Sequence, residues 1–165
     1  MKLAGSSTFD ADLATVWQVL LSPEAIFRCM PGCERFETVG NEHYQATMRV
    51  GVGAIKGAFT GSIRVAEKEP MSRYKLVVEG GGAPGRVRGE GIVTLAARGG
   101  ATEVAYSGDV EVLGPVASVG QRLLSAASRL FIDQFFKCLE RQIALGQTGA
   151  PAEAAAQEGG GSGAS

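Results

Sequence analysis

The spacing of apolar residues near the N-terminus predicts one strand and two short helices. Residues 2–10 form the expected strand, and Asp10 or Asp12 is placed to cap the helix that follows. The apolar positions of this helix recur at helical spacing, at Leu13, Val16, Trp17, Leu20 and Leu21. Pro23 suits the first turn of a second helix through about Cys29, because its missing N–H needs no partner there.

From Phe36 to Val112 the apolar residues fall at every second position, which is the spacing of half-buried antiparallel strands. The alternating positions are Tyr44, Ala46, Met48, Val50 and Val52; Phe59, Gly61, Ile63 and Val65; Tyr74, Leu76 and Val78; Val87, Gly89, Gly91, Val93 and Leu95; and Val104, Tyr106, Gly108, Val110 and Val112. Turn residues separate these stretches at Gly40-Asn41, Glu69-Pro70, 80–85 and Gly99-Gly100. The pattern predicts a meander of about seven strands joined by hairpins.

After Gly114-Pro115 the apolar spacing returns to that of a helix. The predicted stripe runs through Val116, Val119, Leu123, Ala127, Leu130, Phe131, Phe135, Cys138, Leu139 and Ile143. A helix of about thirty residues would span about 45 Å, and Gly146 is expected to end it. A curved antiparallel sheet wrapped around this helix buries both apolar surfaces, so the predicted fold class is α+β.

Four glycines fall at inward positions of the predicted strands. Gly61, Gly89, Gly91 and Gly108 can let a sheet bend sharply, and they also leave space where a side chain would otherwise stand. Simple curvature and a cavity lined by these glycines are both compatible with the pattern.

Composition limits the classes of function and divides the chain. The 165 residues are 45% hydrophobic and 20% charged, which is ordinary for one globular domain. A net charge of −1 argues against nucleic-acid binding, and no apolar run is long enough for a signal peptide or a membrane span, so we expect a cytoplasmic protein.

Residues 146–165 lack Lys, Arg, aromatic and large aliphatic residues, which predicts a domain over 1–145 followed by a disordered tail.

The residues that usually carry catalysis or metal binding are scarce. The single histidine, His43, has no recognisable nucleophile motif beside it, so no catalytic residue is predicted. Cys29, Cys33 and Cys138 are an odd set without disulfide-scaffold density, from which we expect free thiols and no metal site. The glycine-rich run 80–91 lacks the Gly-Lys-Ser/Thr ending of a phosphate loop and is interpreted as a mobile hairpin.

Several segments in this order resemble a known family. They are Phe9-x-Ala11 before Val16-Trp17; residues 21–26 followed by Cys29-Met30-Pro31-Gly32-Cys33; residues 50–53; and residues 106–114 running into 119–124. From about residue 2 to 145 the chain resembles the carbon monoxide dehydrogenase CoxG family, a branch of the START-like (SRPBCC) helix-grip superfamily. The Pro-Gly-Cys segment and the Gly-x-Arg-Leu-Leu segment are its most specific features.

The resemblance implies a noncatalytic binding protein with a hydrophobic cavity between the sheet and the long helix. Members accompany molybdenum-containing hydroxylases such as carbon monoxide dehydrogenase, and the family is associated with quinone handling and with recruiting the enzyme to the membrane. The implied ligand is a quinone, menaquinone or ubiquinone, or another isoprenoid lipid, with transient contact at the inner face of the cell membrane. Two alternatives stay open, a polyketide cyclase-like enzyme and an adaptor protein whose cavity is incidental.

The inward strand positions and the helix stripe nominate the ligand-binding residues. They are Phe27, Met30, Met48, Val50, Phe59, Tyr74, Leu76, Val93, Tyr106, Leu123, Ala127, Leu130 and Phe131. Each of them also suits an ordinary core position. The hydroxyl of Tyr74 or Tyr106 is the expected hydrogen-bond donor to a quinone oxygen.

Overall fold

A computed structural model of the chain describes residues 1–147. Its elements are β1 (Lys2–Phe9), α1 (Leu13–Leu20), α2 (Pro23–Cys29), β2 (Cys33–Gly40), β3 (His43–Val52), β4 (Ile55–Glu69), β5 (Arg73–Gly82), β6 (Gly85–Arg98), β7 (Ala101–Leu113), a 3-10 turn (Pro115–Val119) and α3 (Gln121–Gln147). The predicted α+β class, with two short helices, about seven strands and a long C-terminal helix, is confirmed.

The strands form one antiparallel sheet in the order β1-β7-β6-β5-β4-β3-β2. Strands β2 to β7 follow one another as hairpins, which is the predicted meander. β1 joins β7 at the other edge, in a register that runs from Lys2 opposite Asp109 to Phe9 opposite Thr102. The helices lie on the inner face of this sheet, where α1 contacts β6 and β7 while α3 contacts β1 and β3.

Local capping explains why the two short helices begin where they do. The Asp12 carboxylate accepts a hydrogen bond from the Thr15 N–H at 3.0 Å, and hydrogen bonding to the side chain and the backbone of Thr15 lowers the pKa of Asp12. The Ser22 hydroxyl accepts from the Ala25 N–H at 3.3 Å, with Pro23 in the first turn of α2. These caps match the predicted starts.

The long helix begins later than its apolar stripe predicts. Gly114 and Gly120 have φ angles of 89° and 95°, a conformation that favours glycine, and they isolate the 3-10 turn from α3. α3 therefore starts at Gln121, and the prediction of one helix from about Val116 is wrong at that end. Gly146 and Gln147 lie inside α3, so the helix continues past its predicted end at Gly146, and residues 148–165 of the predicted tail lie outside the described residues.

The connection between β5 and β6 is shorter than its glycine content suggests. β5 extends to Gly82 and β6 begins at Gly85, so the hairpin turn lies inside the predicted stretch 80–85 but takes only Ala83-Pro84. A Cβ atom at Gly82 would collide with the carbonyl oxygen of Ala58. The glycines therefore permit close approach of neighbouring strands.

Most of the fully buried side chains lie at one end of the molecule, which we call the packed end. There α1, α2 and the second half of α3 pack against β1 and against the parts of β5, β6 and β7 nearest to it. The buried cluster comprises Phe9, Ala11, Val16, Leu20, Ala25, Cys29, Tyr74, Val93, Leu95, Val104, Phe136, Leu139 and Ile143. The ring of Phe9 meets the ring of Phe136 edge to face at 5.7 Å, and the buried Thr102 hydroxyl donates to the Ala11 carbonyl at 2.9 Å.

Two of the three cysteines are joined at the packed end. Cys29 of α2 and Cys138 of α3 form a disulfide with their Cα atoms 5.3 Å apart, which overturns the expectation of free thiols for this pair. The two residues are 109 positions apart, so only the packing of α2 on α3 brings them together. Cys33 stays free, its thiol donates to the Arg35 carbonyl at 3.3 Å, and burial raises its pKa.

Candidate ligand-binding site

The opposite end of the molecule, which we call the open end, is formed by two hairpin turns and the start of α3. A Cβ atom at Gly53, in the β3–β4 turn, would lie 3.3 Å from Leu123 Cδ2 of α3. The N–H of Val116, in the 3-10 turn, donates to the carbonyl of Pro84 in the β5–β6 turn at 2.8 Å. Residues that are far apart in the chain are therefore neighbours at this end.

Glycines face each other across the sheet in the middle of its inner face. Gly61 lies opposite Gly80, and Gly91 lies opposite Gly108. A Cβ atom at Gly61 would lie 2.7 Å from Glu79 O, and one at Gly108 would lie 2.5 Å from Glu90 O. These close approaches support the interpretation that the glycines allow curvature, and the same positions leave the inner face without side chains.

A cavity of about 950 Å³ lies beside these glycines. This volume is within the range of about 300–1,000 Å³ that is usual for small-molecule sites. Its lining from the inner face of the sheet and from the helical side comprises Gly89, Gly91, Gly108, Val110, Val112, Ala117, Gln121 and Leu124. This part of the lining is apolar except for Gln121 and suits a hydrophobic ligand, whereas the outward-facing part carries Glu67, Lys75, Arg88, Glu90, Asp109 and Glu111.

The cavity is open to solvent near the end of β7. Outward-facing residues such as Arg88, Glu90 and Asp109 also line it. β1 begins opposite Asp109, and the Met1 ammonium donates to the Val110 carbonyl at 2.8 Å. Past Val110, β7 has no strand on that side within the described part of the chain, and this gap is a route to the inner face.

None of the thirteen predicted ligand residues lines this cavity. Tyr74 and Val93 are only 4% and 7% exposed within the packed end, and Leu76 and Tyr106 pack against the same cluster. The half-buried members are Met30, Met48, Val50, Phe59, Ala127 and Phe131. The most exposed are Phe27, Leu123 and Leu130, at 44%, 42% and 58%. Their contact with a ligand stays a prediction.

Part of the predicted set still forms an accessible apolar surface. Met48 of β3 lies opposite Phe59 of β4, and Val50 lies opposite Gly57, all in the inward phase of the sheet. These residues are only half-buried, whereas Tyr74 and Val93, in the same phase, are buried. The helices therefore leave apolar inner surface uncovered toward the open end.

Three lining residues, Val110, Val112 and Leu124, were absent from the predicted site. Both valines belong to the alternation of β7, so the signal for their inward direction was present in the sequence. Leu124 is half-buried while its neighbour Leu123 is exposed. The sequence signal was the pair Gly114 and Gly120. These glycines separate the 3-10 turn from α3, so the inward positions of α3 do not continue the spacing that begins at Val116.

Tyr74 supplies a buried phenol. Its ring meets Trp17 edge to face at 5.7 Å, and burial raises its pKa. Its hydroxyl has no hydrogen-bond partner among residues 1–147. Tyr106 differs, because a Cβ atom at Gly5 would lie 2.6 Å from its hydroxyl oxygen, so its ring lies over the backbone of β1.

Titratable and metal-binding groups are sparse in the described structure. Residues 1–147 contain no cluster of three or more His, Cys, Asp or Glu side chains placed to hold a metal ion. His43 is the first residue of β3, opposite Gly40 across a turn. None of the helices in this range has the length and apolarity that crossing a bilayer requires.

Comparison with protein families decides the relationship. The family model that describes the CoxG component of carbon monoxide dehydrogenase matches residues 5–144. The chain belongs to the CoxG family. The resemblance drawn from the sequence is thereby confirmed.

Solved structures extend this result for the CoxG-family chain. A conserved protein from Geobacillus kaustophilus is 34% identical, with a TM-score of 0.84 over 87% of this chain and 95% of that one. A START superfamily protein from Mycobacterium smegmatis has a TM-score of 0.68 at 12% identity, covering 87% of this chain and 97% of its own. The ZhuI aromatase/cyclase from Streptomyces sp. R1128 has a TM-score of 0.65 at 14% identity, covering 88% and 94%.

The two distant likenesses establish the START-like fold alone. No curated protein sequence matches the chain. CoxG membership, the START-like fold and the uncovered apolar inner surface together indicate a hydrophobic-ligand-binding protein.

Proposed function

We propose that this protein is a noncatalytic carrier that shields a quinone, or a similar isoprenoid lipid, for a molybdenum hydroxylase of the carbon monoxide dehydrogenase type. The observation that carries the proposal is the apolar inner surface left open between the sheet and α3, beside a cavity of about 950 Å³. Carbon monoxide dehydrogenase enters as the partner through the name of the family.

The physical driving force for uptake would be burial of the isoprenoid chain. Removing apolar surface from water contributes about 25 cal/mol per Å². The half-buried Met48 and Phe59 offer flexible and flat apolar surface to such a chain, and Val110 and Val112 offer branched side chains at the mouth of the cavity. Binding by burial needs no fixed polar geometry, which suits a carrier that must also release its ligand.

A quinone ring additionally needs a hydrogen-bond donor for its oxygens. The Tyr74 phenol is the candidate, because a phenol keeps its proton at neutral pH and can donate it in a hydrogen bond. Its hydroxyl has no partner among residues 1–147. Tyr74 lies in the packed core and does not line the cavity, so this bond requires the ligand to reach the phenol from the uncovered inner surface.

The inner-face part of the cavity favours a carrier over an enzyme of the cyclase type, because the charged lining side chains, Glu67, Lys75, Arg88, Glu90, Asp109 and Glu111, all lie on its outward-facing side. An enzyme is expected to place several titratable groups in its pocket. On the inner face and the helical side, the lining is apolar except for Gln121. Delivery of a membrane-dissolved ligand implies transient contact with the inner face of the cell membrane, which is the localisation we propose.

The decisive experiment is native mass spectrometry of the purified protein, followed by organic extraction of what copurifies. A quinone or polyprenyl lipid at about one per chain supports the carrier. An empty protein that also fails to bind added menaquinone or ubiquinone contradicts it and favours an adaptor without ligand.

A matched pair of variants on α3 tests where the ligand lies. Ala127 is half-buried, and Ala127→Phe should weaken quinone binding about tenfold or more, because overpacking a filled site costs about 1–3 kcal/mol. Ala126 is exposed, and Ala126→Phe adds the same ring without entering the site. Equal affinities of the two variants, measured by fluorescence titration, would remove Ala127 from the site.

A further inference from the structure

The two edge strands of the sheet, β1 and β2, are protected very differently. β2 has features that keep an edge from pairing with a further strand, because its register against β3 shifts at two places and Glu34, Arg35 and Glu37 carry charges along it. β1 pairs with β7 without a register shift over its eight residues, and Lys2 is its one charged residue. The β1 edge is therefore the one that is open to another strand.

The hydrogen bonds at the start of β1 show which backbone groups face away from β7. The Met1 ammonium donates to the Val110 carbonyl, and the Val110 N–H donates to the Met1 carbonyl, both at 2.8 Å. In an antiparallel pair such doubly bonded positions alternate along the strand, so the odd-numbered residues of β1 bond to β7. The even-numbered residues point their N–H and C=O groups outward, and these groups have no partner among residues 1–147. They belong to Lys2, Ala4, Ser6 and Thr8, which are all exposed.

A second copy of β1, running in the opposite direction, fits this edge. Because only even-numbered residues offer free backbone groups, each hydrogen-bonded pair across the interface must join two of them. With the two Ser6 residues on a twofold axis, Ala4 of each copy lies opposite Thr8 of the other. This arrangement makes about six backbone hydrogen bonds and opposes no two like charges.

Charge and apolar contacts select this register. Lys2 of one copy lies opposite Asp10 of the other, directly beyond the end of β1, and Asp10 is exposed without an ion pair in the described part of the chain. On the inner side, the half-buried Leu3 lies opposite Phe9 of the second copy, so the apolar phase continues across the axis. A shift by two residues would lose both contacts.

We infer that two copies of this protein pair antiparallel through their β1 edges and join their sheets into one. β1 runs from the open end to the packed end, so this pairing places the two cavities at opposite ends of the dimer. The contact is essentially one strand pair, and an interface of that size gives a dimer that dissociates on dilution. The inference does not depend on quinone binding.

Sedimentation equilibrium of the full chain tests the dimer. The average mass should rise toward twice that of the monomer as the protein concentration increases. Ser6→Lys should raise the dissociation constant at least about tenfold, because it places two like charges at the axis. Thr60→Lys is the matched control, since it adds the same charge at an exposed position of β4, which has strands on both sides, and it should leave the dissociation constant unchanged.

Disulfide cross-linking tests the register. The Cα atoms of a hydrogen-bonded antiparallel pair are about 5.5 Å apart, which a disulfide can span. In a Cys33→Ser background, which removes the free thiol, Ser6→Cys should form a covalent dimer on oxidation. Thr8→Cys should not, because the two Thr8 positions are about 14 Å apart in this register.

Three outcomes would overturn the inference. The first is a wild-type protein that stays monomeric at every concentration, even if its β1 edge binds a strand of another protein. The second is a dimer that Ser6→Lys leaves intact or that Thr60→Lys weakens equally. The third is equal cross-linking of the Ser6→Cys and Thr8→Cys variants.

Discussion

The two ends of this molecule are built on the same sheet and are covered very differently. At the packed end, inward residues such as Tyr74, Val93 and Val104 are at most 7% exposed beneath α1 and α3. Toward the open end, Met48 and Phe59 occupy the same inward phase and are only half-buried. The comparison separates stability from binding, because one end supplies the close packing while the other keeps apolar surface available.

The specific contacts between distant segments also differ between the two ends. The disulfide, the edge-to-face contact of Phe9 with Phe136, and the buried hydrogen bond of Thr102 all lie at the packed end. The open end is held mainly by backbone contacts and by glycines that let strands approach closely. A ligand site with little packing of its own needs such a rigid support elsewhere.

The largest expected effect comes from cutting the disulfide at the packed end. Closing a loop of about 100 residues stabilises a fold by about 4–5 kcal/mol in the chain-entropy model, so reduction or Cys138→Ser should lower the free energy of unfolding by up to this amount. Urea denaturation with and without reductant measures it. The free thiol Cys33 offers the control, because Cys33→Ser should change the free energy of unfolding little. A loss of stability as large as that of Cys138→Ser would contradict the view that the disulfide stabilises the packed end.

A pair of leucines on α3 compares the packing of the two ends. Leu139 is fully buried at the packed end, and Leu139→Ala should cost about 2–5 kcal/mol. Leu124 is half-buried at the cavity, so Leu124→Ala should cost clearly less and should weaken ligand binding instead. Thermal and urea unfolding of both variants provide the measurement, and equal costs would show that the open end is packed as tightly.

The smallest expected effect on stability is a pH dependence from Tyr74. Burial raises its pKa in the folded state, so the unfolded chain loses this proton first as the pH rises. Stability should therefore fall above the ordinary tyrosine pKa of about 10, and Tyr74→Phe should remove part of that fall. The same variant should weaken quinone binding about threefold to tenfold, because a neutral hydrogen bond contributes about 0.5–1.5 kcal/mol. Unchanged affinity would remove the phenol from the ligand site.

The sequence was most informative where structure is local. The cap at Asp12, the first-turn proline Pro23 and the alternation in β3 to β7 were sufficient to predict the elements and the side of each strand that faces inward. The start of α3 was mispredicted, and the glycines beside the β5–β6 turn belong to strands. Glycines serve loops, helix breaks and close strand contacts alike, and only the neighbouring elements distinguish these roles.

The candidate site was less predictable than the fold. Tyr74 and Val93 share the inward phase of the other candidates, and the structure places them in the packed core. Val110 and Val112 also share that phase, and they line the cavity. Periodicity gives the side of a strand, whereas access to a ligand depends on how far the helices extend over it.

The sequence by itself determined the order of the elements, the inward faces and the family, because periodicity, capping and short motifs depend on near neighbours along the chain. The tertiary structure alone decided the pairing of Cys29 with Cys138 and the apolar inner surface that the helices leave uncovered. These features join segments that are far apart in sequence, and they depend on how strongly the sheet curves and where α3 crosses it.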